Sequence, residues 1–353
     1  MNLLESLDLS FNQLFGKIPK HLAEGCTSLQ ILALSNNSLQ GQIFSSNFSL
    51  TKLRILQLDG NKFTGKIPDS LSNATDLSGL YLSANNLSGR IPSWLGNMSS
   101  LRDIILPNNH LEGPIPLEFC QLRNLESLNH AENNISGSLP FCLSPPLITQ
   151  VHLSKNRLQG QLKDAFYLSS SLVTLDLGYN QLHGSIPTWI DRISDLTYLI
   201  LSNKKLEGKV PTQLCQLKRL SLVDLSHNNL SGHIPHCLDV TSLRDSSDIV
   251  EVPTFIYRRD RPMQQLVETQ KRKGEAVEFT TKTISYSYQG KVITYMSGID
   301  LSCNRLTSSI PQEIGNLTRI HTLNLSHNNL TGPIPWTFSK LKQIESLDLS
   351  TTI

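Results

Sequence analysis

The feature that most constrains this chain is its self-similarity: the sequence repeats about every 24 residues. Asn12, Asn37, Asn61, Asn85, Asn109, Asn133, Asn156, Asn180, Lys204 and Asn228 follow one another at steps of 23 to 25 residues. After a gap of 76, Asn304 and Asn328 resume the step of 24. Around each stands L-x-x-L-x-L-x-x-N-x-L-x-G-x-I-P, as in Leu77, Leu80, Leu82, Asn85, Leu87, Gly89, Ile91 and Pro92. A period of this size belongs to stacked supersecondary units. Length, 353 residues, therefore counts coils and not domains.

Each position in the frame has a physical task. The x-L-x-L stretch alternates with period two, so its leucines point inward and the x residues face out from a short strand. Stacked copies make a parallel sheet. The frame Asn is donor and acceptor at once and suits a point where the backbone turns away from the strand. Gly relieves steric limits in that turn, and Pro after Ile favours an extended segment on the other flank. One unit cannot bury its own leucines; its neighbours do so. The expected fold is an α/β repeat: a solenoid with a curved parallel sheet on the concave face and loops or short helices on the convex face. Aromatic residues are only 6% of the chain, so aliphatic side chains must fill the core. Four departures stand out: Lys204 in place of Asn, His130 at an inward Leu position, Ser308 in place of Gly, and Phe44 in place of Pro.

The frame divides the chain into about ten repeats over 1–236, an insertion over 237–296, and two repeats plus the start of a third over 297–353. The insertion carries a basic run with Arg258, Arg259, Arg261, Lys271, Arg272 and Lys273 against Asp260 and Glu268. Its second half, VEFTTKTISYSYQGKVITYM, is rich in β-branched and aromatic residues, with Tyr286 and Tyr288 among them and Gly290 at an expected turn. Leu4, Leu7 and Leu9 are already in frame, and Thr352 stands where a thirteenth Asn belongs. No basic and apolar leader opens the sequence, and no run approaches about 18 apolar residues. We therefore read the chain as a piece of a longer protein.

Six cysteines occur, and four share one geometry. Cys120 and Cys215 lie 11 residues past their frame positions, and Cys142 and Cys237 lie 9 past theirs. Cys120 with Cys142 and Cys215 with Cys237 thus have the same spacing of 22 on adjacent coils, which suits two disulfides. The alternative is free core thiols, as for Cys26 and Cys303, which have no matching partner. N-x-S/T sequons stand at Asn36, Asn47, Asn73, Asn86, Asn97, Asn134, Asn229, Asn316, Asn324 and Asn329. Sequons and paired cysteines together favour an extracellular setting.

No phosphate-binding glycine loop, H-E-x-x-H or G-x-S-x-G is present, so neither enzyme nor cofactor is expected. His233, His236 and Cys237 cluster in GHIPHCL, but the repeat frame accounts for them without a metal. Asp224, Asp300 and Asp348 recur in L-D-L-S and read as a solvated ladder. A net charge of +2 points to neither nucleic acid nor an acidic membrane. Binding remains. Candidate contacts on the concave face are Arg54, Gln57, Asp59, Tyr81, Arg102, Asp103, Glu126, Asn129, Gln150, His152, Asp176, Tyr179 and Tyr198, with Arg258, Arg259, Arg261, Tyr286 and Tyr288 in the insertion.

The L-x-G-x-I-P motif in a 24-residue frame resembles the plant-specific extracellular class of leucine-rich repeats. The block YMSGIDLSCNRLTSSIPQEIGNLTRIHTLNLSHNNLTGPIPWTFSKLKQIESLDLS, just after VEFTTKTISYSY, resembles plant leucine-rich-repeat receptor-like proteins. The resemblance covers nearly the whole chain. It implies a leucine-rich-repeat solenoid at the extracellular face of the plasma membrane. It further implies an extracellular peptide or protein ligand of microbial or developmental origin, signalling through a co-receptor kinase, and an insertion ("island") at the ligand or co-receptor contact. The chain departs from that pattern in having no leader, N-terminal cap or transmembrane helix. Other readings are a secreted inhibitor of microbial cell-wall-degrading enzymes, the outer part of a receptor kinase, and a non-functional gene fragment.

Overall fold

The frame leucines stack directly on one another. In the computed structural model, which describes residues 2–44, 50–240, 276–281, 284–289 and 297–351, Leu32, Leu56, Leu80, Ile104, Leu128 and Val151 occupy one register line across parallel strands. All six are fully buried. Two compact units are present: Met1–Leu172 with Leu177–Gly184, and Val173–Asp176 with Ser185–Ile353. The first unit holds strands Ser6–Asp8, Ile31–Ala33, Ile55–Gln57, Gly79–Tyr81, Asp103–Ile105, Ser127–Asn129 and Gln150–His152, each pairing in parallel with the next in sequence. The second holds Thr174–Asp176, Tyr198–Ile200, Leu222–Asp224, Gly298–Asp300, Thr322–Asn324 and Ser346–Asp348, paired the same way.

The Asn ladder binds coil to coil. Asn109 Nδ2 donates to the Leu82 carbonyl of the preceding coil at 2.9 Å and to Leu106 and Pro107 of its own at 3.2 and 3.3 Å. Its Oδ1 accepts the Leu87 N–H at 3.0 Å. One amide thus serves four backbone groups beside a turn residue, Asn108, held at a positive φ of 56°. Asn61, Asn133, Asn156 and Asn180 repeat the pattern. Lys204 is buried at the same position; its ammonium can replace the donor half of the amide but not the acceptor half.

A second parallel sheet, which the sequence reading did not anticipate, follows the ladder. In the first unit it runs from Phe15–Gly16 through Asn86–Arg90 and His110–Gly113 to Gln181–Gly184, and in the second from Lys205–Lys209 to Asn329–Leu330. The alternation N-x-L-x-G was the available signal. In most of these strands a Gly stands last or next to last at a φ near +80°, as at Gly89 (82°). Ser308 adopts a φ of 72° without that freedom. Past most Ile-Pro pairs the chain returns through a single 3-10 turn such as Ser93–Asn97 or Leu117–Gln121. Among the described residues, α-helix is confined to Lys20–Gly25.

The 76-residue gap does not break the stack. Leu222, Val223 and Asp224 pair with Gly298, Ile299 and Asp300, and Asn304 bonds the Leu225 carbonyl (2.9 Å) and the Leu230 N–H (3.0 Å). Within the gap, Ala276–Thr281 and Ile284–Gln289 form an antiparallel hairpin pairing Phe279 with Tyr286 and Val277 with Tyr288. Gly290, which the sequence reading put in a turn, lies outside the described residues. Two disulfides join neighbouring coils, Cys120–Cys142 with Cα atoms 5.4 Å apart and Cys215–Cys237 with 5.5 Å. Cys26 and Cys303 are free.

His130 fills its inward position without compensation. It is fully buried, neither ring nitrogen has a partner, and the Phe119 ring stands 6.1 Å away. Burial holds its pKa down to about 3. Three outcomes follow. Asn109→Ala, which strands buried backbone groups, is expected to cost about 2–3 kcal/mol in urea unfolding and to lose amide protection at Leu87. His130→Leu is expected to gain about 1–2 kcal/mol. The histidine's folded pKa lies below its unfolded 6.5, so the unfolded chain takes up the extra proton between those values. Stability is therefore lost as pH falls from 6.5 towards 3, and the leucine variant should lack that component. Thiol titration of unreduced, denatured protein is expected to find two thiols; six would mean no bridge exists.

Candidate functional site

The x residues of each strand make the face on which sequence reasoning placed the ligand contacts, and their exposure divides them. Arg54, Arg102 and Tyr179 are exposed; Asp59, Glu126 and Gln150 are half-buried. Gln57, Tyr81, Asp103, Asn129, His152, Asp176 and Tyr198 are buried, which corrects the expectation of an open row of contacts. The cause is lateral: strands about 4.8 Å apart press each x side chain against its register neighbours. Tyr81 shows the effect. Its ring folds over Gly79, where a β-carbon would stand 2.6 Å from Cε2, and its hydroxyl donates to the Asp103 carboxylate at 2.8 Å. Burial, and then the Asp103 charge, push the phenol pKa upward. Gln57, between Ala33 and Tyr81 in register, is fully buried with neither amide atom partnered.

The aspartates of L-D-L-S also differ from expectation. Asp224 and Asp300 are buried, not solvated. Each accepts the backbone N–H two residues on, Ser226 at 3.0 Å and Ser302 at 2.9 Å, and the same serine's hydroxyl at 2.6 Å. Asp8, Asp348, Asn129 and Asn324 make the same backbone bond, so this position closes the turn after the strand. Asp224 and Asp300 are register partners on adjacent strands, and two buried carboxylates side by side resist joint ionisation. Burial and then the charge of Asp224 push Asp300 up to about 7; burial also raises Asp224. Burial lowers buried Lys204 to about 7, opposed by Asp176 and Asp224. Burial likewise raises Asp59, against hydrogen bonds from Ser83 and Ser35.

Among the described residues no three His, Cys, Asp or Glu side chains are grouped to hold a metal ion. His233 faces the Ser308 hydroxyl at 2.8 Å, His236 the Glu313 carboxylate at 3.1 Å, and Cys237 is in a disulfide. Of the sequons, Asn36, Asn73, Asn86, Asn97 and Asn329 are exposed, and Asn134, Asn229, Asn316 and Asn324 half-buried. Asn324 is engaged at both ends of its amide, with Asp300 at 3.2 Å and Ser326 at 2.8 and 3.1 Å. Asn47, Arg258, Arg259 and Arg261 lie outside the described residues.

A family model described as leucine rich repeat matches residues 2–63, 146–206 and 295–352, together just over half the chain. The chain belongs to the leucine-rich-repeat family. A second model of the same description matches 76–98 and 219–240. Cuscuta receptor 1 of Solanum lycopersicum is 56% identical over 57 residues, which are 16% of this chain and 4% of that protein. The plant peptide hormone receptor RGFR1, solved in complex with RGF2, is similar over 99% of this chain and 52% of its own, with a TM-score of 0.78 and 27% identity. PEPR1 with AtPEP1 is similar over 99% and 45%, with a TM-score of 0.74 and 25% identity. This leucine-rich-repeat chain therefore spans about half the length of those receptor structures and a small part of the receptor protein. Its likenesses are to plant receptors and receptor-like proteins, a ligand-binding and non-catalytic class. Among the described residues no helix is long and apolar enough to cross a membrane.

Asp300→Asn tests the buried pair, because Asn already serves that position at residues 129 and 324. The folded pKa of Asp300 lies above its unfolded 3.8, so its contribution to stability is full below that value and is lost as pH rises through about 7. Across pH 4 to 7, wild type is expected to lose stability relative to the variant in paired urea titrations.

Proposed function

We propose that this chain is part of the ligand-binding ectodomain of a plant cell-surface receptor-like protein. In this reading it takes an extracellular peptide or protein on its strand face and signals through a partner receptor kinase. The observation that carries the reading is the likeness over 99% of the chain to a receptor solved with a peptide hormone. The strand face supports it. Most of its x residues are locked against one another, so a ligand meets a firm surface with few projecting groups, which limits the ordering cost of binding. Among the described residues Arg54 projects without a carboxylate in ion-pair reach, whereas Arg102 is held by Glu126 at 2.7 Å. Tyr179 offers an exposed aromatic anchor. Inter-coil disulfides and exposed sequons favour the extracellular face of the plasma membrane. The hairpin at Ala276–Gln289 is a second contact surface, through Tyr286 and Tyr288, for ligand or co-receptor.

Selection of secreted-peptide libraries on the purified chain should yield binders that weaken about tenfold or more with Arg54→Ala plus Tyr179→Ala, or with Tyr286→Ala plus Tyr288→Ala. Binders indifferent to all four changes would remove the strand face and the hairpin as the ligand site.

A further inference from the structure

The near-neutral composition conceals a separation of charge by face. Lys and Arg total 31 and Asp and Glu 29, yet the two faces differ in their balance of charge. The strand face carries Asp8, Asp59, Asp103, Glu126, Asp176, Asp224 and Asp300 against Arg54 and Arg102. The outer face of the second sheet is basic. Residues one, three and five past each ladder position point outward there, while the residue between, such as Phe63, Leu87 or Leu111, is fully buried. In the first unit the charged Lys, Arg, Asp and Glu at those outward positions are Lys17, Lys62, Lys66, Arg90 and Arg157 against Glu112 alone. In the second unit they are Lys205, Lys209 and Arg305 against Glu207. Among the described residues, none of these eight cations has a carboxylate within ion-pair distance.

The frame glycines align the cations. The Lys17 stem lies over Gly41, Lys66 over Gly89 and Arg90 over Gly113; a β-carbon at those glycines would stand 3.2, 2.9 and 3.0 Å from the Cγ atoms. Each stem is thus laid across the next coil, and the charged ends repeat at multiples of the coil pitch, about 4.8 Å. The rest of the first-unit face is hydroxyl and amide, as at Gln40, Thr64, Ser88 and Gln159, with one large apolar side chain, Phe15, on its first strand.

We infer that the outer face of the second sheet in the first unit is a docking surface for an acidic polysaccharide, a linear polymer bearing carboxylates and hydroxyls on its monomers. The chemistry of the face selects that partner. A protein interface needs an apolar or aromatic centre, and an interfacial membrane contact needs side chains that insert; this face has only Phe15, on its first strand. Single-stranded nucleic acid needs aromatic platforms for its bases. A carboxylated sugar chain needs regularly placed cations with donors and acceptors between them, which the face supplies. The inference is independent of the peptide-receptor reading, since the two surfaces share no residue.

The test is binding of the full chain, after enzymatic release of N-linked glycans because Asn86 and Asn134 stand in the same face, to polygalacturonate and to uncharged galactan. Polygalacturonate is expected to bind and to weaken as salt rises, and galactan not to bind. Lys62→Gln with Lys66→Gln and Arg90→Gln is expected to weaken binding about tenfold. Lys52→Gln with Arg123→Gln and Lys218→Gln removes the same charge from exposed turns and is expected to leave it within about twofold. Equal loss in both triple variants, absence of polygalacturonate binding at low salt, or equally tight binding of duplex DNA would each overturn the proposal.

Discussion

The reciprocal amide bond of the ladder is the interaction on which the rest depends. Each turn out of a strand requires a left-handed residue and leaves backbone groups pointing into an apolar interior, where unpaired groups are costly. One Asn side chain satisfies groups of its own coil and of the coil before it, as Asn109 does. The leucines supply burial, but they would allow neighbouring coils to slide; the amide sets register because it bonds in both directions. The same bond at Asn304 lets a long insertion leave the stack without disturbing it. Insertion length matters little when the backbone on either side is pinned to the same rung.

Register then decides what the strand face can do. Adjacent coils bring equivalent positions side by side, so each x side chain is judged by its neighbours as much as by its own chemistry. Tyr81 can lie flat because position 79 is Gly and can be satisfied because position 103 is Asp. Asp224 and Asp300 meet because the chain returns to the stack in register after the insertion. A face that alternates in the linear sequence becomes, in the stack, a tightly packed surface from which only a few groups project. The same geometry gives one face an excess of cations and the other an excess of carboxylates in a chain of almost no net charge.

The period, the inward leucines, the turn-forming Asn and Gly, the anomalies at Lys204, His130 and Ser308, and the spacing that brings cysteines onto neighbouring coils are all legible in the linear sequence, because a 24-residue repeat makes each position comparable with its counterparts. What the repeat could not specify is anything that depends on two different coils at once. The seven buried candidates of the strand face, the pairing of Asp224 with Asp300, and the unpartnered amide of Gln57 are properties of neighbours 22 to 76 residues apart. The second sheet escaped because its strands are only 2 to 5 residues long and most carry Gly at or next to their last residue, a residue that usually argues against a strand. By itself the sequence determined the repeating unit and its core; the tertiary structure alone decided exposure and electrostatic surroundings, since both are set by lateral packing across a spacing of about 4.8 Å.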